Sequence, residues 1–131
     1  MQDMTMYSDT FRENRRKAES RTRELLKKWS GGEAVICHAT AGHKFLHICV
    51  SFKGQRGFLE IRCGDCKFIT GPFRWANANF ELAEQPYDND PLAYVLKDQA
   101  NNLVLHCGVI EAEEMYVNKS ELNDTAEQQA K

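Results

Sequence analysis

FLEIRCGDCKFITG, residues 58–71, decides how the rest of the chain is read. Apolar and polar residues alternate through Leu59, Glu60, Ile61 and Arg62, the two-residue period of a half-buried strand. At its centre Gly64-Asp65 reads as the two-residue loop of a type II′ hairpin, because glycine favours the first central position of that turn. Such a hairpin opposes Cys63 to Cys66, Arg62 to Lys67 and Ile61 to Phe68. Leu59, Ile61, Cys63, Cys66 and Phe68 then share the apolar face, and Glu60, Arg62 and Lys67 the polar one.

Thiols on an apolar face behave first as small buried hydrophobes. A structural zinc needs four ligands, commonly two from each of two knuckles. The chain has no second C-x-x-C and no H-x-x-H. The expectation is therefore no metal and no cofactor. If a metal is bound, its ligands are Cys63, Cys66 and Cys107, since alternation in LVLHCGVI places Cys107 on the same face. A thioredoxin-type couple puts its nucleophilic cysteine at a helix N-terminus, whereas strands flank this pair. A zinc-binding or thiol-redox domain built on Cys63 and Cys66 stands as the second reading.

Outward from this stretch, period two continues on both sides. EAVICHAT (33–40) and KFLHICVSFK (44–53) read as strands. In the second, Leu46, Ile48, Val50 and Phe52 face one way and Phe45, His47, Cys49 and Ser51 the other. NANFELAE (77–84), LAYVLK (92–97) and LVLHCGVI (103–110) complete the set, the last two joined across DQANN. Pro72 limits the strand before it. In QPYDNDP, Asp88 and Asp90 lack the glycine and distal glutamate of a calcium loop and read as Asx-turn residues.

Upstream the period is helical. SDTFRENRRKAESRTRELLKKWSGG carries Phe11, Ala18, Thr22, Leu25 and Trp29 on one stripe with Leu26 beside it. Ser8 or Asp9 starts the helix, Lys27 and Lys28 suit its C-terminal dipole, and Gly31-Gly32 stops it. Glu13 is spaced to pair with Lys17, and Glu24 with Lys28. The fold class is α+β: an amphipathic helix over 8–29, then a mainly antiparallel, curled meander of about seven strands over 33–110, as an open sheet or partly closed barrel. An acidic tail, 111–131, loses the strand period and is expected to fray after about residue 118, and 1–131 is expected to form one domain.

The chain has 131 residues, 42% hydrophobic and 27% charged, the proportions of a globular domain. The net charge of −2 hides a basic helix on an acidic body: residues 10–30 hold eight Arg or Lys against three Glu. Nucleic-acid binding through that helix is the third reading, opposed by the absence of stacking-aromatic or recognition-helix signatures. The start, MQDMTMYSDT, lacks the basic and apolar regions of a secretory leader. No stretch is long and apolar enough for a spanning helix. Five cysteines show no regular framework, and four Met with no export signal fit a reducing cytoplasm.

No nucleophile elbow, zincin, P-loop or dinucleotide motif is present. The leading reading is a small non-enzymatic binding or interaction domain. It presents a sheet face or barrel mouth to an apolar ligand or protein partner, and it self-associates. Arg74, Trp75 and Tyr87 are the loop residues expected at the site, because Trp and Arg anchor interfaces; Tyr94 and His47 join them.

Overall fold

The computed structural model describes residues 9–40 and 44–116. Ser8 and the tail beyond Tyr116, both read above, lie outside the described residues. One helix, α1 (Asp9–Lys28), precedes seven strands: β1 (Glu33–Ala39), β2 (Phe45–Ser51), β3 (Gly57–Thr70), β4 (Arg74–Trp75), β5 (Glu81–Glu84), β6 (Tyr94–Asp98) and β7 (Leu103–Tyr116). They form one antiparallel sheet in the order β4-β1-β2-β3-β7-β6-β5. The sheet curls into an open half-barrel, and the fold is α+β as expected.

The number of strands agrees with the sequence reading, but two of them are composed differently. Gly64-Asp65 is not a hairpin loop. β3 runs straight through it for 14 residues, pairing with β2 on one side and with β7 on the other. Asp65 takes a φ of 51°, and the backbone change is absorbed as a bend inside the strand. Opposite it, Gly108 leaves room for the bend: a Cβ there would lie 2.8 Å from Asp65 Oδ2. Cys63 therefore faces Ile110, and Cys66 faces Cys107, rather than each other. Beyond the bend the phase slips again between Cys66 and Phe68. Phe68 leaves the core face and is 44% exposed.

β7 is longer than the strand read at 103–110. It extends to Tyr116, because Gly57–Arg62 of β3 supply ladder partners for Glu111–Tyr116. The short β4 was not expected; Trp75 and Arg74 pair with Ala34 and Val35.

The core lies between α1 and one sheet face. Leu46, Ile48, Val50, Leu59, Ile61, Cys63, Leu96, Leu103, Leu105 and Cys107 are buried there against Leu25, Leu26 and Trp29. Each such aliphatic side chain contributes about 1.5–3 kcal/mol by leaving water. Trp29 stacks on Phe52, with centroids 5.6 Å apart, and donates to Glu114 Oε2 at 2.9 Å. Lys28 reaches the same carboxylate at 2.6 Å, so the expected Glu24–Lys28 pair is replaced by a tie to β7. Gly31 ends the helix at φ 96°, and its N–H donates to Ala78 O at 2.7 Å.

The N-terminal half of the helix docks by polar contacts. Phe11 and Ala18 are exposed, while Glu19 and Thr22 are buried. The expected stripe thus holds from Thr22 onward, and Arg15, Glu19 and Arg23 take over before it.

Candidate functional site

The face of the sheet opposite α1 carries the strand residues that alternation turns away from the core. On β2 these are Phe45, His47 and Cys49; on β3, Glu60, Arg62 and Gly64; on β7, Val109, Glu111 and Glu113. Register places Phe45 opposite Gly64, and Gly64 opposite Val109. Phe45 is 56% exposed and Val109 60% exposed. A Cβ on Gly64 would lie 3.6 Å from both Phe45 Cε1 and Val109 Cβ. The glycine therefore forms the floor between two exposed apolar side chains, giving a low apolar strip across three strands.

A charged ladder flanks the strip. Arg62 binds Glu60 Oε1 at 2.6 Å, Glu111 Oε1 at 2.6 Å and Glu113 Oε1 at 2.9 Å. These hydrogen bonds, led by Glu111, raise the Arg62 pKa further. Three carboxylates and one guanidinium leave this part of the face net acidic. Farther along β3 and β7, the Phe68 and His106 ring centroids are 6.0 Å apart, and Tyr87 stacks on His106 at 4.5 Å. The loop 85–93 reaches over β7 in this way. Asp90 Oδ1 accepts from the Leu92 N–H at 2.9 Å, the Asx-type turn expected from the sequence.

The five residues singled out from the sequence do not converge. Arg74 lies exposed on the edge strand β4. Trp75 beside it is 6% exposed, its Nε1 donating to Asp98 Oδ2 at 2.8 Å and its ring edge-on to Phe80. Tyr94 is 5% exposed on the core side; its hydroxyl donates to Glu19 Oε1 at 2.8 Å, and Arg15 lies over its ring at 4.4 Å. Tyr87 is half-buried on His106. His47 stands on the outer face, two residues from Phe45, with Nδ1 3.7 Å from Glu60 Oε2. Phe45, Gly64 and Val109 were missed. Their one sequence signal was an aromatic residue on the polar side of the KFLHICVSFK alternation.

Glu19 is the centre of a second polar cluster, under α1. Burial pushes its pKa up, but hydrogen bonds with Glu84 and Tyr94 and the charges of Arg15 and Arg23 outweigh that and hold it low. Glu84 moves the other way, raised by its hydrogen bond to Glu19 and by burial. The two carboxyls are thus pushed in opposite directions. Arg15 also donates to Leu92 O at 2.6 Å, and Arg23 to Leu82 O at 3.2 Å. These contacts tie the helix to β5, β6 and the loop between them.

Cys63, Cys66 and Cys107 do come together. Cys63 and Cys107 are buried and hydrogen-bonded thiol to thiol, which with burial drives the Cys63 pKa well up. Burial pushes Cys66 up to about 12. Thiols in this state are scarcely ionised at neutral pH and are weak nucleophiles. The disulfide is elsewhere: Cys37 and Cys49 are bonded across β1 and β2. Among the described residues no three His, Cys, Asp or Glu are arranged to hold a metal.

Two open clefts border α1. One, of about 360 Å³, includes Leu26, Phe80 and Leu82 with Arg23 and Lys27; the other, of about 370 Å³, includes Ala18, Arg21 and Thr22 opposite Ile110 and Ala112. No helix among the described residues is long and apolar enough to cross a membrane. Comparison with protein-family models, curated proteins and solved structures finds no match to this chain.

Proposed function

We propose that this chain is a small non-enzymatic interaction domain whose outer sheet face binds a protein partner. The observation that carries the reading is the Phe45–Gly64–Val109 strip, where two large apolar side chains stand exposed over a glycine on three paired strands. Exposed apolar side chains grouped on a face, rimmed by charge, are the usual composition of a protein contact. A shallow strip suits a protein surface or an extended peptide better than a small apolar ligand, which needs an enclosing pocket.

Within this reading His47 and Arg74 are the reachable members of the sequence-derived set. His47 borders the strip, and Arg74 lies on the edge strand. Trp75 and Tyr94 are buried and serve the fold. The acidic ladder beside the strip favours a partner that is apolar at its centre and basic at its rim. A cytoplasmic setting belongs to the same reading, as does self-association through this face or through the β4 edge.

The test is selection of peptides from a displayed library on the immobilised full chain, followed by affinity measurement. Ligands with an apolar anchor and basic flanks are expected, losing at least tenfold in affinity on Phe45→Glu or Val109→Glu. Sedimentation velocity on the same variants reads self-association. Ligands indifferent to both substitutions would remove the strip as the site.

A further inference from the structure

We propose that Cys37, His38, His47 and Cys49 form a redox-gated zinc site on the outer face of β1 and β2. Neighbouring residues on a strand normally point to opposite faces, so Cys37 and His38 should not act together. The ladder shows why they do. Val35 pairs with Cys49, Ile36 with Ile48, and then His38 with His47, leaving Cys37 as the extra residue of a bulge. A bulge re-aims the side chain it inserts. Both residues consequently meet partners on the same neighbouring strand. Cys37 Sγ is bonded to Cys49 Sγ, and the His38 ring lies against His47 with centroids 5.3 Å apart.

Two sulfurs and two imidazoles are a standard donor set for structural zinc. Two imidazoles bound to one tetrahedral zinc at about 2.0–2.1 Å keep their ring centroids roughly 5 Å apart, close to the spacing already present. The cysteine Cα atoms are 6.2 Å apart, so once the sulfur–sulfur bond is open, rotation of the side chains brings both sulfurs to a common ion without moving a strand. A histidine ligand commonly directs its other nitrogen to a carboxylate, which orients the ring. Here Glu60 Oε2 lies 3.7 Å from His47 Nδ1, and Arg62 holds the other oxygen of Glu60 at 2.6 Å. That leaves His47 Nε2 for the metal. Cys37 and His38 are exposed, and His47 and Cys49 are partly so, which admits both a reductant and an ion.

The disulfide closes the site, because its sulfurs are spent on each other. Opening takes two electrons: two equivalents of a small thiol reduce the Cys37–Cys49 bond to two thiols and become one disulfide themselves. Zinc then displaces one proton from each thiol, giving a neutral centre of two thiolates and two neutral imidazoles. This site is separate from the buried Cys63, Cys66 and Cys107, and it does not depend on the partner-binding strip.

The full chain is reduced with a phosphine, checked for five free thiols after unfolding, and titrated with zinc and with cobalt. The expected result is about one metal per chain, about two protons released per zinc, and the charge-transfer and intense visible bands of tetrahedral cobalt bound by sulfur and nitrogen. The oxidised chain takes up neither. Cys37→Ser/Cys49→Ser is expected to lose more than about 100-fold in affinity, His38→Ala and His47→Ala each about 10–100-fold, and Glu60→Gln about tenfold. Cys66→Ala is expected to bind as the parent does. Circular dichroism checks that each variant folds, and the histidine variants carry the test if the cysteine variant does not. Failure of the reduced chain to take up metal stoichiometrically, or uptake that survives loss of Cys37 and Cys49, would overturn the proposal.

Discussion

Asp98 receives the Trp75 indole N–H at 2.8 Å in a site where Asp98 itself has no exposed surface. The same carboxylate accepts from the Asn79 N–H at 2.9 Å and from Asn101 Nδ2 at 3.0 Å. One side chain thus joins the edge strand β4, the chain leading into β5 and the short turn Gln99–Asn101 between β6 and β7. Asp98→Ala strands the buried Trp75 indole N–H and removes the bonds to Asn79 and Asn101. An unfolding free energy lower by about 3 kcal/mol is expected, from unmade hydrogen bonds to a charged group. Asp98→Asn, which retains one acceptor oxygen, should cost less. Urea denaturation followed by Trp fluorescence measures both, and equal stabilities for Asp98→Ala and the parent would contradict the assignment.

The Glu19–Glu84 pair gives stability two opposed pH dependences. Glu19 is held low in the folded chain, so its contribution is present above the ordinary carboxyl range and is lost as pH falls through its folded value. Glu84 is raised, so its contribution is present at lower pH and is lost as pH rises through its folded value. Glu84→Gln keeps a donor for Glu19 and removes the second loss. The variant should melt higher than the parent at neutral pH, with the difference shrinking towards pH 4. Thermal melting across pH 4–8 checks this; a difference that does not change with pH would mean that Glu19 does not raise Glu84 in the folded chain.

These two clusters show where local pattern stops being informative. Alternation in FLHICVS assigns Leu46, Ile48 and Val50 inward because face is a property of neighbours in sequence, and the structure agrees. Gly64-Asp65 suits a hairpin loop and a bend equally, because both use the same residues; the choice rests on a 14-residue partner strand beginning at Leu103. Hydrophobic periodicity likewise cannot reveal that Glu19 is buried, since its partners Tyr94 and Glu84 lie on other elements. The Phe45–Gly64–Val109 strip and the His38–His47 contact both depend on register between strands. An aromatic residue on a polar face and an adjacent Cys-His pair were visible, but what stood opposite them was not.

His106 is 9% exposed, is covered by Tyr87, and has an Nδ1 without a hydrogen-bond partner. Burial, helped by Lys97, lowers its pKa. The folded chain keeps the ring neutral, while the unfolded chain protonates in the ordinary histidine range. Stability therefore falls as pH drops from neutral through that range and on to the folded value. His106→Phe keeps an aromatic surface for Tyr87 and removes the unpartnered nitrogen. It should be about 1 kcal/mol more stable at neutral pH and should lose this acid sensitivity. Urea midpoints at pH 7.5 and pH 5.5 are the measurement; the same acid shift in both proteins would place the titrating group elsewhere.

The five cysteines should divide by reactivity according to their surroundings. Cys37 is exposed and Cys49 partly exposed, whereas Cys63 and Cys107 are buried and the Cys66 thiol is pushed up to about 12. Alkylation proceeds through the thiolate, so a thiol raised to this extent reacts slowly at neutral pH even where solvent reaches it. In the reduced, folded, metal-free chain, iodoacetamide should modify Cys37 and Cys49 first. Cys63, Cys66 and Cys107 should follow only at the rate of unfolding, or in denaturant. Peptide mapping by mass spectrometry over a time course separates the two groups. Rapid modification of Cys66 at neutral pH would show an ionised thiol there and would revive the thiol-redox reading of the Cys63/Cys66 pair.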